Sequence, residues 1–309
     1  MNLWVLGSGE TISLYRDKVK KLKDKTTLVL QRCFPHIYTG YGIIPTYWTW
    51  SDPYSSLEGI KYLSSLGKKE LSKFKKMKIL VPSHCYSTLE KFRKYSGSTP
   101  IERIQIAGSW TIAWENYICL LNELKERGMN IEVVETTTTK YIKNNPASAP
   151  SLENKEWLEK DCEERFKLDK IVFGTCKFDS ESVIGLENIW GLENKLSSVM
   201  FPISQKLGAK NIFVLGFDHI GGRFYEVEPS GQKRNLAGSA ESGVRHPWND
   251  ETQKKELSEG VKIPLGMVKK WVDWEHIHKI KIYNVVEDSY TLLNNVLEYK
   301  KFDEALEDF

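Results

Sequence analysis

Four short stretches carry residue types that could do chemistry. The first is Gly7-Ser8-Gly9-Glu10-Thr11, which follows the apolar run Asn2-Leu3-Trp4-Val5-Leu6 and precedes an amphipathic stretch over residues 12–22. Two glycines permit a tight turn and let a ligand come close to the backbone. Thr11 or Ser13 can cap the following helix, whose first N–H groups then favour an anion such as phosphate. A purely structural turn is the alternative. Ile12 stands where the dinucleotide fingerprint has its third glycine, and no lysine follows as in a P-loop, so neither motif is complete. The second stretch is Ser51-Asp52, left before Pro53 at the end of a run of β-formers. The third is Asp218-His219, which closes the apolar run ending at Gly216. The fourth is Arg245-His246-Pro247-Trp248, at the end of a long polar segment. A histidine placed there can act as a general base near neutral pH, or be an idle loop residue.

Other candidates are thinner. His276 and His278 precede a strand and could ligate a metal, but no third ligand has convincing spacing, so no metal site is assigned. His36 and His84 carry no clear signal. There is no Asp-x-Asp pair, and nothing in the sequence requires a nucleotide-bound divalent ion. Tyr47, Trp48, Trp50 and Trp248 could stack on a base or a sugar, or fill the core.

These residues need a scaffold. Apolar runs at residues 2–6, 26–30, 43–50, 78–82, 131–134, 170–174, 211–216 and 279–284 read as strands. Helical stretches alternate with them: 12–22, 54–66, 83–95, 109–127 before Gly128, 152–166, 195–207 before Gly208, 252–274 with a break near Pro264-Leu265-Gly266, and 288–306. Residues 31–41 read as an irregular, aromatic-rich connection. The alternation predicts an α/β fold, a doubly wound, mostly parallel Rossmann-like sheet. A single domain is expected over 1–290, with a C-terminal helix over 287–309. The Gly- and Ser-rich polar segment 219–250 is expected to be a mobile lid. In such a sheet, ligands lie beyond the carboxyl ends of the strands. Gly7-Ser8-Gly9, Ser51-Asp52 and Asp218-His219 would all meet at that edge.

Bulk properties set limits. A net charge of +3 over 309 residues is too small to argue for nucleic acid. The lysines cluster in residues 18–25 and 68–78, either as solvated helix faces or as contacts for an anionic partner such as a membrane surface or a polyanionic glycan. Five cysteines, odd in number and without a Cys-x-x-Cys, argue for reduced thiols in a cytosolic setting. The chain enters a strand at once, giving no sign of a secretory leader. No apolar run approaches the roughly 20 residues of a membrane span.

The order of motifs resembles a family. Strand–Gly7-Ser8-Gly9-Glu10-Thr11 comes first, then Trp48-Thr49-Trp50-Ser51-Asp52-Pro53. A helix ending Gln205-Lys206-Leu207-Gly208-Ala209-Lys210 then leads into Asn211-Ile212-Phe213-Val214-Leu215-Gly216-Phe217-Asp218 and Gly221-Gly222-Arg223-Phe224-Tyr225. It resembles the bacterial sialyltransferases that use CMP-activated sialic acid. It resembles equally the motility-associated flagellin glycosyltransferases and their archaeal pterin-diphosphokinase-like cousins. The Asp52-Pro53 form is closer to the flagellin-modifying branch.

The resemblance implies an inverting, metal-independent transferase that moves a sialic-acid-like or other nonulosonic sugar from a CMP donor to a glycan or protein acceptor. It needs no cofactor beyond that donor substrate. Gly7, Ser8, Gly9 and Thr11 would cradle the CMP phosphate and ribose, with Ser51 and Asp52 beside them. Ser197 and Ser198 would approach the donor sugar. Gly216 and Asp218 would hold the nucleotide or brace the site. His246 would be the base, and Arg223 or Tyr225 would stabilise the departing phosphate. The expected location is cytoplasmic, at the inner membrane surface in one version, with homo-oligomer formation left open. An ATP-dependent diphosphokinase-like enzyme of the same fold family is the alternative. It would need Mg²⁺ on acids such as Asp52, Asp218 and Asp250. A non-catalytic nucleotide- or glycan-binding protein is a further one.

Overall fold

The computed structural model describes residues 1–50, 53–82, 108–134, 196–218, 224, 262–273, 275, 279–287 and 291–308. Their core is an eight-stranded, wholly parallel sheet. Its strands are β1 (Asn2–Leu6), β2 (Thr27–Leu30), β3 (Tyr47–Thr49), β4 (Lys78–Pro82), β5 (Asn130–Val134), β6 (Asn211–Leu215), β7 (Lys281–Asn284) and β8 (Glu298–Tyr299). The order across the sheet is β5-β4-β3-β2-β1-β6-β7-β8. The chain starts at the centre, works outward to β5, returns to the centre at β6 and works outward the other way. This is the doubly wound α/β arrangement expected from the alternation of elements.

The reversal decides which face each helix covers. A right-handed crossover puts connections on one face while the chain moves one way, and on the other after it reverses. The helices of the first half are α1 (Thr11–Leu14), α2 (Arg16–Lys20), α3 (Cys33–Tyr41), α4 (Pro53–Ser65), α5 (Lys68–Leu71) and α6 (Gly108–Glu126). Their buried residues pack with Trp4, Leu6, Val29, Trp48, Ile79, Val81, Phe213 and Leu215. A π-helical turn (Leu196–Met200), α7 (Phe201–Lys206) and α8 (Lys262–Asp273) instead pack with Leu3, Val5, Leu28, Leu30, Leu80, Ile212, Val214 and Ile282. The two sets alternate along each strand, because successive strand side chains point to opposite faces. The first face is rich in aromatic rings. Trp48 lies 4.7 Å from Trp50 and 4.8 Å from Phe34, centroid to centroid.

Several expectations need correction. Residues 12–22 do not form one helix: α1 and α2 meet at Tyr15 and a 3-10 turn (Lys21–Asp24) follows. Residues 31–41 are not irregular. Phe34 is extended (φ −95°, ψ 132°), and α3 then winds from Pro35 and ends on the left-handed Gly42. A proline is tolerated in a first turn, where its missing N–H has no partner to lose. The same holds for Pro264, in the first turn of α8, so that helix is not broken at Pro264-Leu265-Gly266. The strand expected over 43–50 contracts to β3. The single C-terminal helix expected over 287–309 is replaced by a 3-10 turn (Leu293–Asn295), β8 and α9 (Phe302–Glu307). Glu298 and Tyr299 pair with Tyr283 and Asn284, adding an edge strand too short to be seen as a pattern in sequence.

α9 returns to the aromatic face. The Phe302 ring packs tilted against Trp4, 4.8 Å between centroids. Lys18 and Lys21 reach Asp303 at 2.8 and 3.6 Å, and Lys25 donates to the Leu306 carbonyl at 3.4 Å. Part of the first lysine cluster therefore faces the chain's own last helix. The expected elements at 83–95, 152–166 and 170–174 lie outside the described residues, as does segment 219–250 apart from Phe224.

Candidate functional site

The reversal between β1 and β6 leaves two strand ends side by side with their following loops diverging. In open α/β sheets that crevice is where ligands bind. β1 and β6 pair from Asn2↔Asn211 to Leu6↔Leu215, so Gly7-Ser8-Gly9 and Gly216-Phe217-Asp218 leave the sheet together. Six of the expected site residues (Gly7, Ser8, Gly9, Thr11, Gly216 and Asp218) thus converge from opposite ends of the chain.

They interlock. The Gly7 N–H donates to the Leu215 carbonyl at 2.8 Å, and the Gly9 N–H to the Gly216 carbonyl at 2.7 Å. Asp218, only 6% exposed, accepts from the Thr11 N–H on Oδ2 and from the Thr11 hydroxyl on Oδ1, both at 2.7 Å. Charge-assisted hydrogen bonds of this length, shielded from water, are among the stronger a protein makes. The anion at the start of α1 is the chain's own carboxylate, 207 residues away in sequence. This corrects the expectation that Thr11 or Ser13 caps the helix from within: neither does, and Asp218 takes that place.

The glycines follow from the same contact. A Cβ on Gly9 would sit 2.3 Å from Asp218 Oδ2, and one on Gly7 would sit 2.2 Å from the Gly216 carbonyl oxygen. Gly216 adopts φ +75°, a backbone conformation that side chains resist. What comes close to these backbones is the partner loop, so the structural reading of the turn is sufficient to require its glycines.

Phe224 sits against the turn. The Phe224 N–H donates to the Ser8 carbonyl at 3.0 Å, and the Ser13 hydroxyl donates to the Phe224 carbonyl at 3.1 Å. The buried Phe224 ring packs 5.7 Å from Tyr41 and 6.5 Å from His36. Tyr41 donates to the Ile12 carbonyl at 3.2 Å and lies 5.7 Å under the Arg16 guanidinium. Burial pushes the Tyr41 hydroxyl pKa above its ordinary value. His36 Nε2 sits 2.9 Å from Glu58 Oε1. The buried Cys33 thiol is pushed far up by desolvation, which makes it inert. Sequence reasoning named Arg223 and Tyr225 but missed Phe224. Its one signal was an apolar ring in an otherwise polar stretch, which marks an anchor.

The remaining candidates divide. Trp48 and Trp50 are fully buried and belong to the core. Trp48 Nε1 donates to the Gln31 carbonyl at 2.9 Å and Trp50 Nε1 to the Tyr117 hydroxyl at 3.1 Å. Ser197 and Ser198 lie in the π-helical turn before α7, on the opposite face of the sheet from α1. Ser51, Asp52, Arg223, Tyr225, His246 and Trp248 lie outside the described residues, as do His84, His219, His276 and His278. Among the described residues no group of His, Cys, Asp or Glu could hold a metal ion, and no helix is long and apolar enough to cross a membrane.

A broad open cleft of about 1210 Å³ lies at the opposite, amino edge, lined by Gly208, Lys210, Asn211, Lys281, Tyr283 and Asp308 among others. None of the expected site residues lines it. Comparison with protein-family models, with curated proteins and with solved structures finds no match for this chain.

Proposed function

We propose that the chain is a glycosyltransferase. It takes a sugar, sialic-acid-like or another nonulosonic acid, from a CMP-activated donor and passes it to a hydroxyl of a glycan or protein acceptor, with inversion and without a metal. The observation that supports this reading is the meeting of Gly7-Ser8-Gly9 with Gly216-Phe217-Asp218 at the point where the sheet reverses. Asp218 serves there by clasping Thr11 rather than by touching the donor. The donor phosphate would draw on Ser8, Arg223 and Tyr225 around that clasp, with Ser51, Asp52, Ser197 and Ser198 towards the ribose and sugar. His246 would take the proton from the acceptor hydroxyl as its oxygen bonds the anomeric carbon and CMP departs with the bonding electron pair. The reaction would run on the cytoplasmic side, at the inner membrane surface where the acceptor is membrane-linked.

The diphosphokinase alternative would need Asp218 in a Mg²⁺-binding set. Asp218 would have to join that set while keeping its two hydrogen bonds to Thr11. The test is a thermal-shift screen with CMP, CDP, UDP, GDP and ATP, each with and without Mg²⁺. Stabilisation by CMP without metal is expected; stabilisation by ATP with Mg²⁺ alone would overturn the reading. His246→Ala should keep the CMP shift and lower transfer by about 10²-fold or more.

A further inference from the structure

The broad cleft at the amino edge, about 1210 Å³, plays no part in the proposed transfer. Its charged lining is uneven. Lys210, Lys279 and Lys281 line it together with Asp273, Glu275 and Asp308. Two of the three acids are already engaged. Asp273 Oδ1 lies 2.6 Å from Lys269 Nζ, and Asp308 pairs with Lys300. The three lysines of the lining are exposed, and among the described residues their ammonium groups form no ion pair or hydrogen bond. With Lys269 and Lys300 balancing Asp273 and Asp308, three cations are left against one carboxylate, that of Glu275.

The fold sets these lysines side by side. Lys210 immediately precedes β6 and Lys281 opens β7. The two strands pair from Asn211↔Lys281, and the Lys281 N–H donates to the Lys210 carbonyl at 2.8 Å. The Lys210 N–H donates in turn to the Met1 carbonyl at 2.7 Å. Lys279 holds a left-handed backbone, φ +58°, and closes a helical turn, its N–H donating to the Glu275 carbonyl at 2.7 Å. Ile280, between Lys279 and Lys281, is buried. The main chains of all three lysines are therefore anchored, while their ammonium groups serve no contact within the fold. Like charges gathered at one concavity repel each other, and their fields add on whatever enters it.

We propose that the amino-edge cleft is a second binding site, one that takes the phosphate of a phosphate-bearing ligand. It lies away from the nucleotide site and does not depend on that reading. The choice of phosphate follows from the kind of cation. Among the described residues the lining holds lysines and no arginine. A planar carboxylate is best matched by the fork of an arginine, whereas a phosphate, charged on several oxygens, accepts lysine ammoniums as point charges from several directions. The cleft is larger than a phosphate ion, so the ligand carries its phosphate on a larger body: a lipid headgroup at a bilayer surface, or a free phosphorylated molecule.

The experiment uses the full chain in about 0.1 M salt, where exposed charges more than about 10 Å apart are largely screened from each other. Inorganic pyrophosphate is the free probe, titrated by calorimetry. Vesicles of phosphatidylglycerol in phosphatidylcholine are the lipid probe, read by flotation against pure phosphatidylcholine. Binding of pyrophosphate alone identifies a free ligand, and binding of the vesicles alone a lipid headgroup. Wild type is compared with the triple variant Lys210→Gln, Lys279→Gln, Lys281→Gln and with a charge-matched triple among exposed lysines before β4, Lys73→Gln, Lys75→Gln, Lys76→Gln. The cleft triple should bind the preferred probe about tenfold more weakly, or worse, and the second triple within about twofold of wild type. Should the cleft triple fail to fold, its three single variants carry the test, each expected to weaken binding about threefold. Excess CMP should leave pyrophosphate binding in place, and citrate should displace either probe poorly. Equal losses in the two triples would overturn the site in favour of net charge alone. So would a wild type that binds neither probe, or a cleft triple that binds as wild type does. Pyrophosphate displaced by CMP would return the probe to the nucleotide site, and ready displacement by citrate would overturn the assignment to phosphate.

Discussion

The strand pair β1–β6 is fastened at both ends, and the two fastenings differ in kind. At the carboxyl end a buried carboxylate, Asp218, grips the Thr11 N–H and hydroxyl. At the amino end Asn211 Nδ2 donates to Asn2 Oδ1 at 2.8 Å, and Asn2 Nδ2 donates to the Asp308 carbonyl at 2.7 Å. Those groups are neutral and partly open to water, beside the broad cleft. Water can replace a lost partner at the amino end; it reaches the carboxyl end poorly. The tight end and the wide cleft therefore lie on opposite edges of the sheet.

Mutations on each side test that contrast. Asp218→Ala strands two buried donors of Thr11 and should cost about 3 kcal/mol of stability, read as a lowered denaturant midpoint. Asp218→Asn keeps the shape and one acceptor and should cost clearly less. Gly9→Ala forces a methyl group against the Asp218 carboxylate and should cost about 2 kcal/mol by the same measurement. If it is tolerated, the interlock is looser than its distances imply. At the other end, Asn211→Ala should cost only about 0.5–1 kcal/mol. A loss equal to that of Asp218→Ala would break the comparison, since burial would then not be what separates the two ends.

The smallest effect is expected at the exposed rim. The Lys18 hydrogen bond, with added attraction from Lys18 and Lys21, holds the Asp303 carboxyl below its ordinary value. Its folded value lies below its unfolded one, so its contribution is present above the unfolded value and fades as pH falls through the folded value. Wild type and Asp303→Asn should therefore differ slightly at pH 7 and converge in acid, close to the limit of calorimetric detection.

Much of the scaffold could be read from the sequence, for a physical reason. Strands buried on both faces, such as Leu3-Trp4-Val5-Leu6 and Ile212-Phe213-Val214-Leu215, are continuous apolar runs that periodicity finds easily. β8 was missed because a two-residue edge strand has no period, and α3 because its proline reads as a breaker until its place in the first turn is known. The meeting of Gly7-Ser8-Gly9 with Asp218 followed from topology alone. That Asp218 would occupy the helix start itself did not, since nothing local to either stretch distinguishes a carboxylate facing a ligand from one facing Thr11.

The placing of β1 at the centre, between β2 and β6, bears on how the chain is made. β2 follows β1 closely, whereas the Thr11–Asp218 contact spans 207 residues. During synthesis β1 can pair on one side early, but its other edge has no partner until β6 has been translated. A half-sheet formed before then would present an apolar open edge until β6 emerged, at about 5–20 residues per second. Such an edge invites pairing with other chains. Closure that joins residues so far apart in sequence is the slow step of such a topology, and it sets how long that edge would stay open.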